Sequence, residues 1–164
     1  MATVDMASNI NAGGHRTQSD CNTPYLVSAS VNFATAATTK GSVLATGDVI
    51  QVLDIPAETI VLMAGVEITT VTDGASGVLV FDVGTGDDAD AFIDGFDADS
   101  GTAAGTYAQT DLADFHPLVC QSADTVDITL TFGSGGLTTG AARVYALLCD
   151  ISDRNAPGVV AIGS

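Results

Sequence analysis

The stretch "TVDITLTF", residues 125–132, alternates polar and apolar side chains without interruption. Its apolar side chains are Val126, Ile128, Leu130 and Phe132. Its polar side chains are Thr125, Asp127, Thr129 and Thr131. Successive side chains of a β-strand point to opposite faces of the sheet, so this alternation predicts a strand with one face in the core and one in water.

Other segments carry the same signal or a more continuous apolar one. In "YLVSASVNF", residues 25–33, alternate positions share an apolar face: Tyr25, Val27, Ala29, Val31 and Phe33. Four further segments are more continuously apolar: "DVIQVLDI" (48–55), "TIVLMAGVEITTV" (59–71), "SGVLVFDVG" (76–84) and "ARVYALLCDIS" (142–152). Such segments are typical of strands that are covered on both faces or that lie against a neighbouring subunit.

Glycine- and aspartate-rich breaks such as "TDGASG", "GTGDD" and "GSGGLTTGA" separate these segments. Short strands with regular turns of this kind predict an all-β fold, an antiparallel β-sandwich resembling a jelly roll. We expect one sandwich domain over residues 25–164, with a short C-terminal tail from about residue 153. Residues 1–24 are polar and irregular, and we interpret them as an extended N-terminal arm outside the sandwich.

The charge balance excludes several classes of partner. The chain of 164 residues carries 20 acidic and 4 basic residues, which gives a net charge of −16 and a pI near 4.1. Nucleic acids and anionic membrane surfaces would be repelled, so we expect neither as a partner. The first residues show no secretory signal. The three cysteines are an odd number with no close pair in sequence, which is typical of a protein made in a reducing cytoplasm.

The stretch "FDVGTGDDADAFIDGFDADS", residues 81–100, contains seven aspartates. Its best calcium candidates are Asp87, Asp88 and Asp90, since carboxylates in a tight turn can converge on Ca²⁺. The spacing does not fit a known calcium loop, because Phe92 falls where a ligand is needed. We therefore predict a solvated connection that Phe92, Ile93 and Phe96 fix to the core, and no metal site.

The remaining candidate catalytic groups are scattered along the chain. His15 and His116 lie far apart in sequence, and a lone histidine is more often structural than catalytic. Cys120 and Cys149 sit in apolar segments, where a thiol acts as a small hydrophobe. We predict no catalytic residue, no cofactor and no enzymatic activity.

Three blocks together carry a family resemblance: "GDVIQVLDIPAETIVLMAGVEITT", "FDVGTGDDADAFIDGF" and "LTTGAARVYALLCDIS". Their order resembles capsid decoration (cement) proteins of tailed bacteriophages, of the type found in marine and cyanobacterial phages. The resemblance implies a jelly-roll-like sandwich, commonly a homotrimer, on the outer surface of the virion. Its implied partners are the major capsid protein, whose subunits it bridges, and further copies of itself.

An alternative function is a head or tail fibre module of the adhesin type that recognises a host surface or a glycan. Fibres usually show sequence repeats, and none is visible here. An extracellular glycan-binding module would favour exposed aromatics, whereas this chain has no Trp and 5% aromatic residues. The composition therefore favours the capsid protein over the adhesin.

Overall fold

Two β-sheets face each other across a shared hydrophobic core in the computed structural model of this chain, which describes residues 1–8, 23–73, 79–110, 117–133 and 135–151. The elements in chain order are β1 (Thr3–Ser8), β2 (Tyr25–Asn32), α1 (Phe33–Lys40), β3 (Val49–Ile55), β4 (Thr59–Thr70), β5 (Leu79–Gly84), β6 (Ile93–Asp97), β7 (Tyr107–Gln109), β8 (Leu118–Cys120), β9 (Asp124–Phe132) and β10 (Ala141–Asp150). No helix in the described part of the chain is long and apolar enough to span a membrane.

Each sheet has five strands. Sheet A has the order β1-β3-β9-β5-β6, and sheet B has the order β2-β10-β4-β7, with β8 also paired to β4. Neighbouring strands are antiparallel except for the parallel pair of β1 and β3. The predicted all-β sandwich is confirmed.

Strand β9 lies at the centre of sheet A and supplies the core as its alternation predicts. Val126, Ile128 and Leu130 are fully buried, and Phe132 is also buried. The ring of Phe81 lies 5.5 Å from that of Phe33 and 6.3 Å from that of Phe96, so aromatic contacts link the end of β2 to sheet A. Of the alternating residues of β2, Val31 is buried and Val27 is only partly buried.

The helix α1 is a difference from the sequence prediction, which extended the strand through Phe33. The chain leaves β2 at Asn32, whose side chain accepts a hydrogen bond from the backbone N–H of Thr35 at 3.1 Å. An asparagine in this position satisfies an otherwise unpaired N–H and starts a helix. Phe33 is still buried, because it enters the core from the first turn of α1.

Strand β1 is a second difference, because the sequence analysis placed residues 1–24 outside the sandwich. Thr3–Ser8 pairs with β3 as the edge strand of sheet A, and Val4 is buried. A strand of six residues with one fully buried apolar side chain gives little pattern to recognise. Residues 9–22 of the predicted arm and the predicted tail from about residue 153 lie outside the described residues.

One buried carboxylate holds β1, α1 and β3 together. Asp48 accepts hydrogen bonds from the backbone N–H of Ala2 at 2.9 Å and of Ala45 at 2.8 Å, and it also pairs with the Lys40 ammonium. Burial alone would raise the pKa of Asp48, but the hydrogen bonds from Lys40, Ala45 and Ala2 lower it below its ordinary value. The carboxylate therefore stays ionised in the folded protein at neutral pH.

Replacing Asp48 by Asn should lower the free energy of unfolding by about 3 kcal/mol at neutral pH, because it leaves the largely buried Lys40 ammonium without its anion. The loss should shrink in acid, since the wild-type contribution disappears as the pH falls through the lowered pKa of Asp48. Urea denaturation at several pH values measures this. Asp94→Asn, at an exposed position, removes the same charge and should change the stability by less than about 0.5 kcal/mol; equal effects of the two variants would contradict the role of Asp48.

Candidate interaction surface

The acidic stretch 81–100 spans the end of β5, a tight connection, β6 and the turn after it. Phe92, Ile93 and Phe96 are buried, as predicted, while Asp87, Asp88 and Asp90 are exposed. Other carboxylates of the stretch accept hydrogen bonds from nearby backbone: Gly95 N–H donates to Asp82, and Gly101 N–H, one residue beyond the stretch, donates to Asp99. The aspartates thus close turns and contact water.

The connection folds back over the outer surface of β5. Thr85 N–H donates to the carbonyl of Asp88 at 2.7 Å, and Phe92 N–H donates to the carbonyl of Val83 at 2.9 Å. A Cβ on Gly84 would lie 2.0 Å from the Asp88 carbonyl oxygen, so only glycine permits this approach. The connection therefore covers the residues that lie beside Gly84 in sheet A.

The calcium candidates are close together but poorly arranged for a cation. A hydrogen bond between the side chains of Asp88 and Asp90 raises the pKa of Asp88. Within the described ranges, no group of three or more His, Cys, Asp or Glu side chains is arranged to hold a metal ion. The assignment of this loop as a solvated connection stays a prediction.

Millimolar calcium and a chelator should give melting temperatures within about 1 °C of each other, because a ligand stabilises the fold only when it binds the native state. Differential scanning fluorimetry measures this. A calcium-dependent rise of several degrees that Asp90→Asn removes would instead assign a calcium site to Asp87, Asp88 and Asp90.

Asp127 is a buried carboxylate on the outer surface of sheet A. It lies opposite Gly84 on β5 and Gln51 on β3, under the acidic connection, and is 2% exposed. Burial, together with the charge of Asp124, raises its pKa from 3.8 to about 6, although the Thr125 hydroxyl donates to it at 2.5 Å and opposes the rise. Asp127 is ionised at neutral pH, and burial of this charge lowers the free energy of unfolding.

Asp127→Asn should stabilise the protein at pH 7 by up to about 3 kcal/mol, since each pKa unit corresponds to about 1.4 kcal/mol. The raised pKa stabilises the wild-type fold fully below pH 3.8, and this contribution is lost as the pH rises through about 6. The advantage of the variant should therefore vanish below about pH 4. Unfolding curves from pH 3.5 to 8 measure it, with Asp94→Asn as the control for net charge; a constant difference at all pH values would refute the assignment.

An open groove of about 550 Å³ lies beside the connection, between Gly86–Asp88 and the segment Leu118–Asp124. It contains the Cys120 thiol, whose pKa is raised by burial and by the charges of Asp124 and Asp87. A thiol with a raised pKa stays protonated and is a poor nucleophile. Cys149 is also buried and unpaired, while Cys21, His15 and His116 lie outside the described residues.

The outer surface of sheet A is polar and acidic. Across neighbouring strands it carries the half-buried apolar side chains of Val49 and Val80 among a larger polar set: Thr3, Asp5, Gln51, Asp82, Asp127, Thr129 and Thr131. Burial and the charge of Asp5 raise the pKa of nearby Asp54. We call this surface the acidic face.

The outer surface of sheet B has the opposite character, and we call it the neutral face. Its apolar side chains are Leu26, Ile60, Met63, Tyr107, Val119, Tyr145 and Leu147. Leu26 is 69% exposed, Tyr107 66% and Val119 49%. A β-bulge between Val61 and Met63 brings an additional half-buried leucine, Leu62, to the same end of β4. A contiguous apolar surface of this kind marks an interaction site more often than scattered exposed residues do.

One cation and one anion lie in the middle of the neutral face. Arg143 on β10 is directly opposite Glu67 on β4, and their charged groups are 3.9 Å apart. Next to them the ring of Tyr145 lies over Gly65, where a Cβ would come within 2.3 Å of the ring. Burial and the nearby Tyr107 and Glu67 raise the pKa of Tyr145. The two opposite charges leave this face without net charge, in a chain of net charge −16.

The sequence analysis noted the apolar character of β4 and β10 but did not identify the neutral face. Apolar residues on both sides of a strand predict burial on both sides. Within the described ranges, sheet A covers only the inner sides of β4 and β10, so the apolar side chains on their outer sides remain partly exposed. Leu26 and Tyr107 could not be assigned to this surface without the order of the strands in sheet B.

Solved structures with the same fold come from bacteriophage capsids. The chain matches a chain of "Cyanophage Pam1 capsid asymmetric unit" with a TM-score of 0.59 and 20% identity, over 79% of this chain and 86% of that one. It matches "Capsid of Ralstonia phage GP4" with a TM-score of 0.60 and 14% identity, over 90% and 99%. It matches "Acidic stable capsid structure of Helicobacter pylori bacteriophage KHP30" with a TM-score of 0.54 and 14% identity, over 81% and 92%.

No protein-family model matches the chain, and no curated protein sequence matches it significantly. At these levels of identity the structural likeness establishes the fold. The matches cover most of both chains in each case, so the shared unit is a whole sandwich and not a local motif.

Proposed function

We propose that this chain is a virion structural protein of a tailed bacteriophage, a capsid decoration (cement) protein that binds the outside of the head and bridges major capsid subunits. The observation that carries the proposal is the match of a nearly complete sandwich to chains from three phage capsids. In two of these matches, more than nine tenths of the capsid chain is covered. A stabilising role of this kind is mechanical and requires no catalytic group.

The net charge of −16 supports a position on the outer surface. A strongly anionic protein facing the packaged genome would be repelled by the phosphate backbone, because nucleic-acid binding depends on clustered Lys and Arg. On the outside, the same charge keeps the particle soluble and dispersed. The acidic face is suited to point toward solvent there.

The distribution of apolar surface supports decoration over formation of the shell itself. A subunit that builds a closed shell must bury contacts against neighbours on several sides. Among the described residues, the neutral face carries Leu26, Tyr107 and Val119 as exposed large apolar side chains, while the aspartates of the 81–100 stretch are largely solvated. A protein with few exposed apolar side chains fits attachment to an existing lattice better than formation of a shell.

Binding as a homo-oligomer, which we propose to be a trimer, would make weak individual contacts sufficient. Once one copy has bound, the others are held near their own sites, and this effective concentration can raise avidity by roughly 10²–10⁴. Bridging adjacent capsid subunits then resists the outward pressure of the packaged genome.

The test uses heads assembled from the major capsid protein of the encoding phage in the absence of this chain. We expect such heads to form, to bind the purified chain saturably at a copy number comparable to that of the major capsid protein, and to release DNA only at higher temperature once decorated. Cosedimentation and quantitative mass spectrometry give the copy number, and a DNA-binding dye reports release on heating.

Two outcomes would overturn decoration. Heads that fail to close without the chain would make it a shell-forming subunit. A copy number of only a few per particle would instead indicate a fibre or adhesin component. A head-sized particle of an unrelated phage serves as the control for non-specific binding.

A further inference from the structure

We propose that the neutral face is where copies of this chain associate with one another, so that a second copy of the chain covers Leu26, Tyr107 and Leu147. This inference rests on the proposed function in one respect: it names the surface through which the copies of the proposed homo-oligomer contact one another. The association itself is a property of the free protein and needs no phage head.

The first argument is the two-sided apolar character of the central strands of sheet B. β4 and β10 bury Val61, Val66 and Val144 against the core and carry Met63 and Leu147 on the outer side. In the part of the chain that the structure describes, no element lies over this outer side. The strand pattern is that of a sheet covered on both faces, and the described residues of the chain supply only one of the two covers.

The second argument is electrostatic. Two copies that each carry a charge of −16 repel one another wherever acidic surfaces meet. Among the described residues, the strands of the neutral face carry the single pair of Arg143 and Glu67 and no further charge on their outer side. It is therefore the sheet face through which two identical acidic chains can approach closely.

The charges on the neutral face are also self-complementary. Arg143 is half exposed and its contact with Glu67 is long at 3.9 Å, so both groups can engage further partners. When two such faces meet, the arginine of one copy can lie beside the glutamate of the other. Matching charges across an interface fix the orientation of the partners more than they add affinity.

The size of the face sets the strength to expect. Four strands spaced about 4.8 Å apart, with about eight residues at 3.3 Å each, give roughly 500 Å² per copy. Two such faces bury roughly 1,000 Å², which is at the lower limit for a specific interface. The association should accordingly be reversible and depend on protein concentration.

The first experiment measures the oligomeric state of the purified chain by light scattering and sedimentation over a range of concentrations. The wild-type chain should associate, and Leu26→Asp should weaken association by about tenfold or more, since it places a charge among the apolar side chains of the contact. Leu26 is mostly exposed, so the variant should keep the wild-type melting temperature. The matched control is Thr131→Asp, which adds the same charge at an exposed position of the acidic face and should associate as the wild type does.

The second experiment tests the charge pair between copies. Arg143→Glu makes the face doubly negative and Glu67→Arg makes it doubly positive, so each variant alone should associate less than the wild type. Mixed together, the two variants should form hetero-oligomers, detected by native mass spectrometry with one variant isotopically labelled. Mixed species no more abundant than the self-associated species of either variant would overturn the interface.

Other outcomes separate this inference from the proposed function. A wild-type chain that stays monomeric, or Leu26→Asp that associates like Thr131→Asp, would refute the neutral face as the self-association surface even if the protein still decorated heads. Association through the neutral face by a protein that never bound heads would leave this inference standing and refute decoration.

Discussion

Repulsion among 20 acidic residues, opposed by only 4 basic ones, is the constraint on which the arrangement of this molecule depends. Carboxylates must remain in water or gain specific partners, because burial of an unpaired charge is costly. Asp48 is buried with Lys40 and two backbone N–H groups, whereas Asp127 is buried beside Asp124 and has its pKa raised to about 6. Most of the remaining carboxylates in the described residues lie on sheet A and its connections, and Glu67 on sheet B is paired with Arg143. Sheet B is thereby left with a face that bears no net charge.

This separation of charge connects the fold to the proposed function. A sandwich has two outer faces, and here one of them is suited to water and the other to a protein contact. Phage capsid chains share the fold over most of their length, which directs the interpretation toward a particle surface where many copies sit side by side. In the proposed function, the acidic face would lie toward solvent and the neutral face would contact protein.

The sequence predicts the features that local alternation encodes and misses those that depend on distant parts of the chain. The pattern of β9 identifies Val126, Ile128 and Leu130 as core residues, because a period of two has one structural meaning in a sheet. The pattern cannot show that Thr3–Ser8 pairs with β3, because the paired residues lie more than forty positions apart in the sequence. The carboxylate of Asp48 adds a further contact between these two parts of the chain. The helix α1 depends on one capping side chain, Asn32, at the end of a regular strand. The neutral face depends on the order of β2, β10, β4 and β7, which no single segment encodes.

A cryo-electron microscopy reconstruction of heads decorated with this chain tests the central claim most directly, because it shows which way the sandwich faces. We expect the chain on the outside of the shell, with sheet A and its residues Asp5, Asp82 and Thr131 toward solvent and the outer surface of sheet B buried against protein. A sandwich bound inside the head, or one that buries the acidic face and leaves Leu26 and Tyr107 in solvent, would contradict the assignment of the two faces.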